Sequence, residues 1–268
     1  MSEEGRLSTA ADWSERWGTQ NPGHLWRIRP KWPEFRDLHR LFKRHLPAGR
    51  SYRFLEVGCY PGGHMLYFAE QFEYRVSGLE YVSWCAESTK TALRKEGIEA
   101  DIICADLFTF EIGDAPRWHV VASVGFVEHF ANVEPVVKRH LGLVEPGGWL
   151  VLIIPNHAGI YGRIVKRLAP EKHRMHNLMD YEALREAVVT CGGEIVEGGY
   201  YGHFGFWNTG IYQHVKACHP RLYYAVRGVL LMTEWLGQLL PNFRQLAPMA
   251  AVIARTPKRD SSNRARRD

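Results

Sequence analysis

From Tyr52 onward, short apolar runs alternate with segments whose apolar residues recur at helical spacing. YRFLEV (52–57) precedes HMLYFAEQF (64–72), YRVSGLE (74–80) precedes CAESTKTALRKEG (85–97), and ADIICA (100–105) leads to WHVVASV (118–124). A helix through VEPVVKRHLGL (133–143), the strand WLVLIIP (149–155) and a helix through DYEALREAVVTC (180–191), ended by Gly192 and Gly193, come next. The strands EIVEGGYY (194–201) and MAAVIAR (249–255) close the series. Strands alternating with helices predict an α/β fold with a mostly parallel sheet covered on both faces. Seven strands are expected.

Two stretches stand outside this alternation. Before residue 50, Pro33 followed by EFRDLHRLFKRHL puts Phe35, Leu38, Leu41, Phe42 and Leu46 on one helical face. This predicts an N-terminal helical preface over 1–49, ahead of a core spanning 50–206. Roughly forty residues, 207–246, separate the last two strands, too many for a bare loop in a compact domain. They read as a helical cap over the active site, inserted before the last core strand at 247–256, with a disordered basic tail at 257–268.

Within the cap, Arg221 to Leu240 is strongly apolar and long enough to raise the question of a membrane span, but Arg227 and Glu234 interrupt it. Leu222, Val226, Val229, Leu230, Leu236 and Leu240 recur near helical spacing. Packing on the domain is the leading expectation, and peripheral membrane contact through the 221–240 helix is the alternative.

Composition narrows the partners. The net charge of +5 owes much to the tail, with Arg255, Lys258, Arg259, Arg264, Arg266 and Arg267, so the body predicts no specific nucleic-acid surface. Cys59, Cys85, Cys104, Cys191 and Cys218 are scattered, without the close pairs of a zinc or redox motif. The polar, acidic start MSEEGRLSTAADWSERW carries no secretory signal. Together these predict a cytoplasmic protein.

The chemistry concentrates at the strand ends. FLEVGCYPGGH (54–64) is an apolar strand, a glycine turn and a helix start whose free N–H groups can face a polar ligand. Glu80 ends the second strand about twenty residues on, where an acid can accept from both ribose hydroxyls of a nucleotide. Asp106, in IICADLF, follows the third strand, where a carboxylate can accept from an adenine amino group while Leu107 packs on the ring.

With SVGFVEHF after the fourth strand and LVEPGGWLVLIIPN around the fifth, these motifs resemble the class I S-adenosylmethionine-dependent methyltransferases. The likeness runs from about residue 50 to 156 and is greatest to the branch of ubiquinone-biosynthesis and other small-molecule methyltransferases. It implies a Rossmann-like sheet and S-adenosyl-L-methionine as cofactor. By resemblance, Glu56 and Gly58 contact the methionine end, Gly62 lines the turn, Glu80 holds the ribose, and Asp106 with Leu107 holds the adenine. Ser123 to Phe126 border the sulfonium. Where the family has a second turn glycine this chain has Tyr60 followed by Pro61, so Tyr60 is expected to turn outward. A nicotinamide dehydrogenase shares the strand, turn and acid, but its G-x-G-x-x-G is broken at Tyr60.

Methyl transfer is an in-line displacement, so alignment and exclusion of water matter most. A hydroxyl acceptor would also need a base. His129 and His176 are the leading catalytic candidates, with His157, His173 and His203 behind them. Glu128 and His129 with His173 or His176 could also hold a metal ion, but no second carboxylate is evident and no metal is assigned. Tyr200, Tyr201, Phe204, Phe206, Trp207 and Tyr212 could enclose a sugar, an aromatic ring or a lipid-linked acceptor, or form the core of the cap. The expected activity is methylation, at oxygen, of a small-molecule or lipid-linked acceptor. An RNA methyltransferase and a noncatalytic S-adenosylmethionine-binding protein are the alternatives, and the oligomeric state is open.

Overall fold

The computed structural model describes residues 5–18, 23, 25–206 and 209–258. The tail beyond residue 258, expected to be disordered, and Trp207 of the proposed aromatic enclosure lie outside the described residues. The seven strands are β1 (Arg53–Val57), β2 (Arg75–Glu80), β3 (Asp101–Cys104), β4 (Trp118–Val124), β5 (Val144–Pro155), β6 (Glu194–Tyr201) and β7 (Met249–Arg255). They form one sheet in the order β3-β2-β1-β4-β5-β7-β6. Pairing is parallel from β3 through β5, whereas β7 runs antiparallel to both β5 and β6. This is the Rossmann-like architecture expected from the alternation.

The near-continuous apolar runs follow from burial on both faces of the sheet. Successive side chains alternate: Phe54, Val120, Ala122, Val151 and Ile253 enter one core, while Leu55, Val121, Leu150, Leu152 and Val252 enter the other. The first core is completed by α2 (Pro33–His45) and α3 (Gly63–Phe72), which contribute Phe35, Leu38, Phe42, Tyr67 and Phe68. The second is completed by α5 (Glu134–Leu143) and α8 (Tyr181–Thr190), through Val136, Val137, Leu184 and Val188. Asp180 caps α8 by accepting from Ala183 N–H at 3.0 Å, while α4 (Ser83–Lys95) packs against β2 and β3.

The chain order reverses between β1 and β4, so their carboxyl ends open a crevice, the usual ligand position in such sheets. What covers that crevice differs from expectation. The insertion forms α9 (Ile211–Cys218) and α10 (Tyr223–Gly237), which pack on each other, with α9 also against α6 (Ile160–Leu168). No described residue of 209–246 lines either cavity of the crevice. The cover comes instead from the N-terminal segment with α1 (Ala10–Trp17), and from the chain around α7 (Pro170–Arg174). Thr9 starts α1 through a reciprocal capping box with Asp12.

Packing of α10 is confined to one face: Tyr223, Val226, Leu230, Thr233 and Glu234 are half-buried, and Glu234 accepts from Phe206 N–H and Tyr212 O–H. Gly237 is its one buried residue. Leu222, just before it, Val229, Leu231, Met232, Trp235 and Leu236 along it, and Leu240 just after it are exposed. The stretch has no polar face directed to water, because its apolar residues occur all round the helix rather than in a stripe. No helix of the described residues is long and apolar enough to cross a membrane.

Candidate active site

Two adjoining cavities occupy the crevice. The smaller is lined at the ends of β1 to β4 by Val57, Gly58, Leu79, Glu80, Asp106, Leu107, Val124, Gly125 and Phe126. The larger, about 670 Å³, is lined by Trp13, Trp17, Trp26, Trp32, Phe35, Ile153, Glu56, Glu128, Lys172 and His176, among others. Gly58, Tyr60, Val124, Gly125, His129, Trp13 and Trp17 line both, and so mark where the cavities meet.

The smaller cavity has the features of a nucleoside site. Gly58 has φ +71°, and a Cβ there would lie 2.6 Å from the Phe126 ring, so only glycine brings the backbone this close. The Glu80 carboxylate is buried and fixed by backbone N–H donors of Val82, at 3.0 Å, and of Tyr60 and Tyr81. Burial pushes its carboxyl up to about 6, against the lowering effect of those donors. Asp106 accepts from Phe108 N–H at 2.9 Å and pairs with Arg6, which reaches across from the N-terminal segment.

That segment is tied down over the cavity. Leu7 N–H donates to the His129 carbonyl and Ala131 N–H to the Gly5 carbonyl, each at 2.8 Å. The Trp13 ring stands edge-on to His129, with centroids 4.7 Å apart. Trp17 contacts Tyr60, which also contacts Trp84. Tyr60 therefore does not turn outward; it forms part of an aromatic wall where the family has glycine. The Tyr60-Pro61 bond is cis.

The larger cavity has a polar corner. Glu56, at the end of β1, has Oε1 3.1 Å from His64 Nδ1, while its buried Oε2 has no hydrogen-bond partner among the described residues. An orphaned carboxylate oxygen beside Gly58 suits a ligand ammonium, such as that of a methionine end. Further along, Glu128 and His129 lie on the 3-10 turn Val127–His129, and His176 follows α7. Burial raises the Glu128 carboxyl to about 8 and lowers His129 to about 4 and His176 to about 2. Burial also lowers Lys172 to about 8. The imidazoles are neutral at neutral pH.

The sequence-selected residues thus separate into three groups. Gly58, Glu80, Asp106, Leu107 and His129 surround the smaller cavity, and Glu56 and His176 line the larger. Gly62 and Ser123 line neither. Gly62 begins α3 with φ +92°, and its missing Cβ makes room for Thr89 and Leu93 of α4, so its part is helix packing. Strand alternation sends the Ser123 side chain to the sheet face opposite Val124, where it is buried. The residues not selected are Arg6, Trp13 and Trp17. The T-x-x-D box at Thr9 and Asp12, followed by tryptophans four residues apart, was the available signal.

The methyltransferase domain model matches residues 25–197, well over half of the chain. The chain belongs to this methyltransferase family. Its cofactor is S-adenosylmethionine, and the fixed Glu80 carboxylate, the Gly58 approach and the orphaned Glu56 oxygen fit that molecule. Solved structures agree on the fold. Phosphoethanolamine N-methyltransferase 2 of Haemonchus contortus, in complex with S-adenosyl-L-methionine, has TM-score 0.58 at 15% identity, covering 93% of this chain and 58% of that one. Geranyl diphosphate C-methyltransferase of Streptomyces coelicolor A3(2), with Mg2+, geranyl diphosphate and S-adenosyl-L-homocysteine, has TM-score 0.56 at 15% identity, covering 92% and 97%. Coclaurine N-methyltransferase, bound to N-methylheliamine and S-adenosylhomocysteine, has TM-score 0.57 at 14% identity, covering 82% and 71%. These differ in acceptor atom, so the shared fold does not fix the acceptor.

Proposed function

We propose that this methyltransferase modifies oxygen on a small or lipid-linked acceptor held in the larger cavity. The observation that carries the reading is the pair of imidazoles, His129 where the cavities meet and His176 on the wall of the larger one, with ring centroids 4.5 Å apart. S-adenosylmethionine supplies an electrophilic methyl group on a sulfonium. Glu80 and Asp106 anchor its adenosine end and Glu56 its ammonium, which directs the methyl toward the larger cavity. Trp13, Trp17 and Tyr60 exclude water from the junction. An acceptor hydroxyl there needs a proton acceptor as its oxygen forms the bond to carbon and the sulfur keeps the bonding pair. An imidazole Nε2 receives that proton, whereas a neutral amine acceptor would attack without this help.

The remaining cavity wall is rich in tryptophan, with Phe35 and Ile153, and also carries Arg16, Arg27, Arg29, Glu34 and Lys172, which suits an apolar or aromatic acceptor bearing a polar or anionic group. The exposed apolar residues of α10, with exposed Lys216, Arg221 and Arg227 nearby, support contact with an anionic lipid surface. A lipid-linked acceptor would be collected there. Five free cysteines accord with a cytoplasmic setting. The test is incubation with methyl-labelled S-adenosylmethionine and fractionated extract. Label in the lipid or small-molecule fraction, with an ether or ester linkage, is expected. Label confined to RNA, or on nitrogen, overturns the reading.

A further inference from the structure

Two separate segments bring three donor atoms to one place on the wall of the larger cavity. A carboxylate oxygen of Glu128 and one ring nitrogen each of His129 and His176 lie within 4.8 Å of one another, and all three residues are buried. His129 Nε2 is 3.8 Å from Glu128 Oε1. The orientation of both rings is fixed from behind. His129 Nδ1 donates to the Met175 carbonyl at 2.6 Å, and His176 Nδ1 donates to the Lys172 carbonyl. A carbonyl oxygen can only accept, so each Nδ1 carries the proton and each Nε2 presents a lone pair.

Glu128 adds the independent observation. It is 1% exposed, and neither carboxylate oxygen has a hydrogen-bond partner among the described residues. Lys172 acts on it through charge, not through a hydrogen bond. His157, whose two buried ring nitrogens also lack partners, packs 4.8 Å from the His176 ring. The Glu128 carboxyl and two imidazole nitrogens thus converge, with the Gly125 carbonyl also beside the His129 ring and the Lys172 charge acting on Glu128, an arrangement that a bound cation would complete.

We propose that Glu128, His129 and His176 bind one divalent first-row transition-metal ion, with its open side facing the larger cavity. An imidazole donating Nδ1–H to a carbonyl while Nε2 faces the ion is the usual support for a metal ligand. Two nitrogens and one oxygen suit zinc, iron(II) or manganese(II) better than magnesium or calcium, which prefer all-oxygen sites. Bonds of about 2.0 to 2.2 Å require donors roughly 3.4 Å apart, so the side chains close by about 1 Å on loading. The open side would accept an acceptor oxygen. Only that last point rests on the oxygen-transfer reading, in which the ion would then replace a free imidazole in activating the hydroxyl.

The test uses chelator-stripped full-length protein without a histidine tag, titrated with Co2+ and then competed with Zn2+. One Co2+ per chain, with visible absorption of a nitrogen- and oxygen-ligated ion displaced by Zn2+, is expected. His176→Ala and Glu128→Gln should each weaken Zn2+ binding at least about tenfold while S-adenosylmethionine affinity stays within about threefold, which also reports folding. His176→Cys should restore binding and add a cobalt–thiolate charge-transfer band. No stoichiometric uptake, unchanged affinity in both ligand-removing variants, or a missing thiolate band overturns the site. Ion binding without label on oxygen would leave the site standing and remove the oxygen-transfer reading.

Discussion

Replacing Glu80 with glutamine separates binding from stability. Each hydrogen bond from a ribose hydroxyl to the ionised carboxylate contributes about 1.5–3 kcal/mol, and two are expected. Glutamine keeps a single, uncharged acceptor oxygen, so the loss is about 3 kcal/mol, or roughly 100-fold in S-adenosylmethionine affinity. Stability follows a different sign. The folded-state carboxyl sits at about 6, above its ordinary 4.5, so ionising it costs about 2 kcal/mol at pH 7. That cost sets in as pH rises from 4.5 through 6, where the folded state holds a proton that the unfolded state has lost. Glutamine escapes it but presents an N–H₂ to a backbone N–H, an offset of about 1–3 kcal/mol. Unliganded Glu80→Gln should therefore melt within about 4 °C of wild type at pH 7. Calorimetric titration and thermal melts from pH 5 to 8 check both parts. Wild-type affinity should fall as pH drops below about 6, and the variant's should not follow that trend. Affinity within threefold of wild type, or a melt lowered by 8 °C or more, would refute the reasoning.

Three further outcomes follow from the geometry. Gly58→Ala adds a Cβ 2.6 Å from the Phe126 ring at φ +71°; left-handed strain of about 1–2 kcal/mol plus the displaced ring should reduce cofactor affinity at least tenfold in the same titration. Trp13→Ala removes the ring set against His129 and should speed S-adenosylhomocysteine release by about 5- to 30-fold in stopped flow, from roughly 1–2 kcal/mol of lost aromatic cover. Replacing exposed Leu231 and Trp235 with aspartate should abolish sedimentation with anionic vesicles and leave cofactor affinity unchanged; equal sedimentation of variant and wild type would dismiss the lipid-surface role of α10.

The sheet was legible because both of its faces are buried. Runs such as WLVLIIP and MAAVIA are apolar without interruption, and helices with one apolar face separate most of the strands. Glu80 and Asp106 were legible because a parallel strand delivers its last residue, and the turn that follows it, to the crevice wherever the chain folds this way. Ser123 illustrates the limit of that logic, since a shift of one residue along β4 reverses the facing direction. The cover was misplaced for a different reason. An aromatic insertion of forty residues looks like a cap, yet which element crosses the crevice depends on long-range contacts such as Arg6 with Asp106 and Leu7 with His129. Glu128 and His129 could be grouped with His173 or His176 from the sequence, but that His176 is the one that meets them depends on how the segment after β5 folds back, which no local spacing encodes.

The two-cavity account is tested most directly by a crystal structure with S-adenosylhomocysteine bound. The account predicts the ribose on Glu80, the adenine beside Asp106 and Leu107, and the sulfur at Val124 and Gly125, open toward His129 and the larger cavity. A sulfur directed away from His129, or an adenosine bound elsewhere than between Glu80 and Asp106, would contradict it.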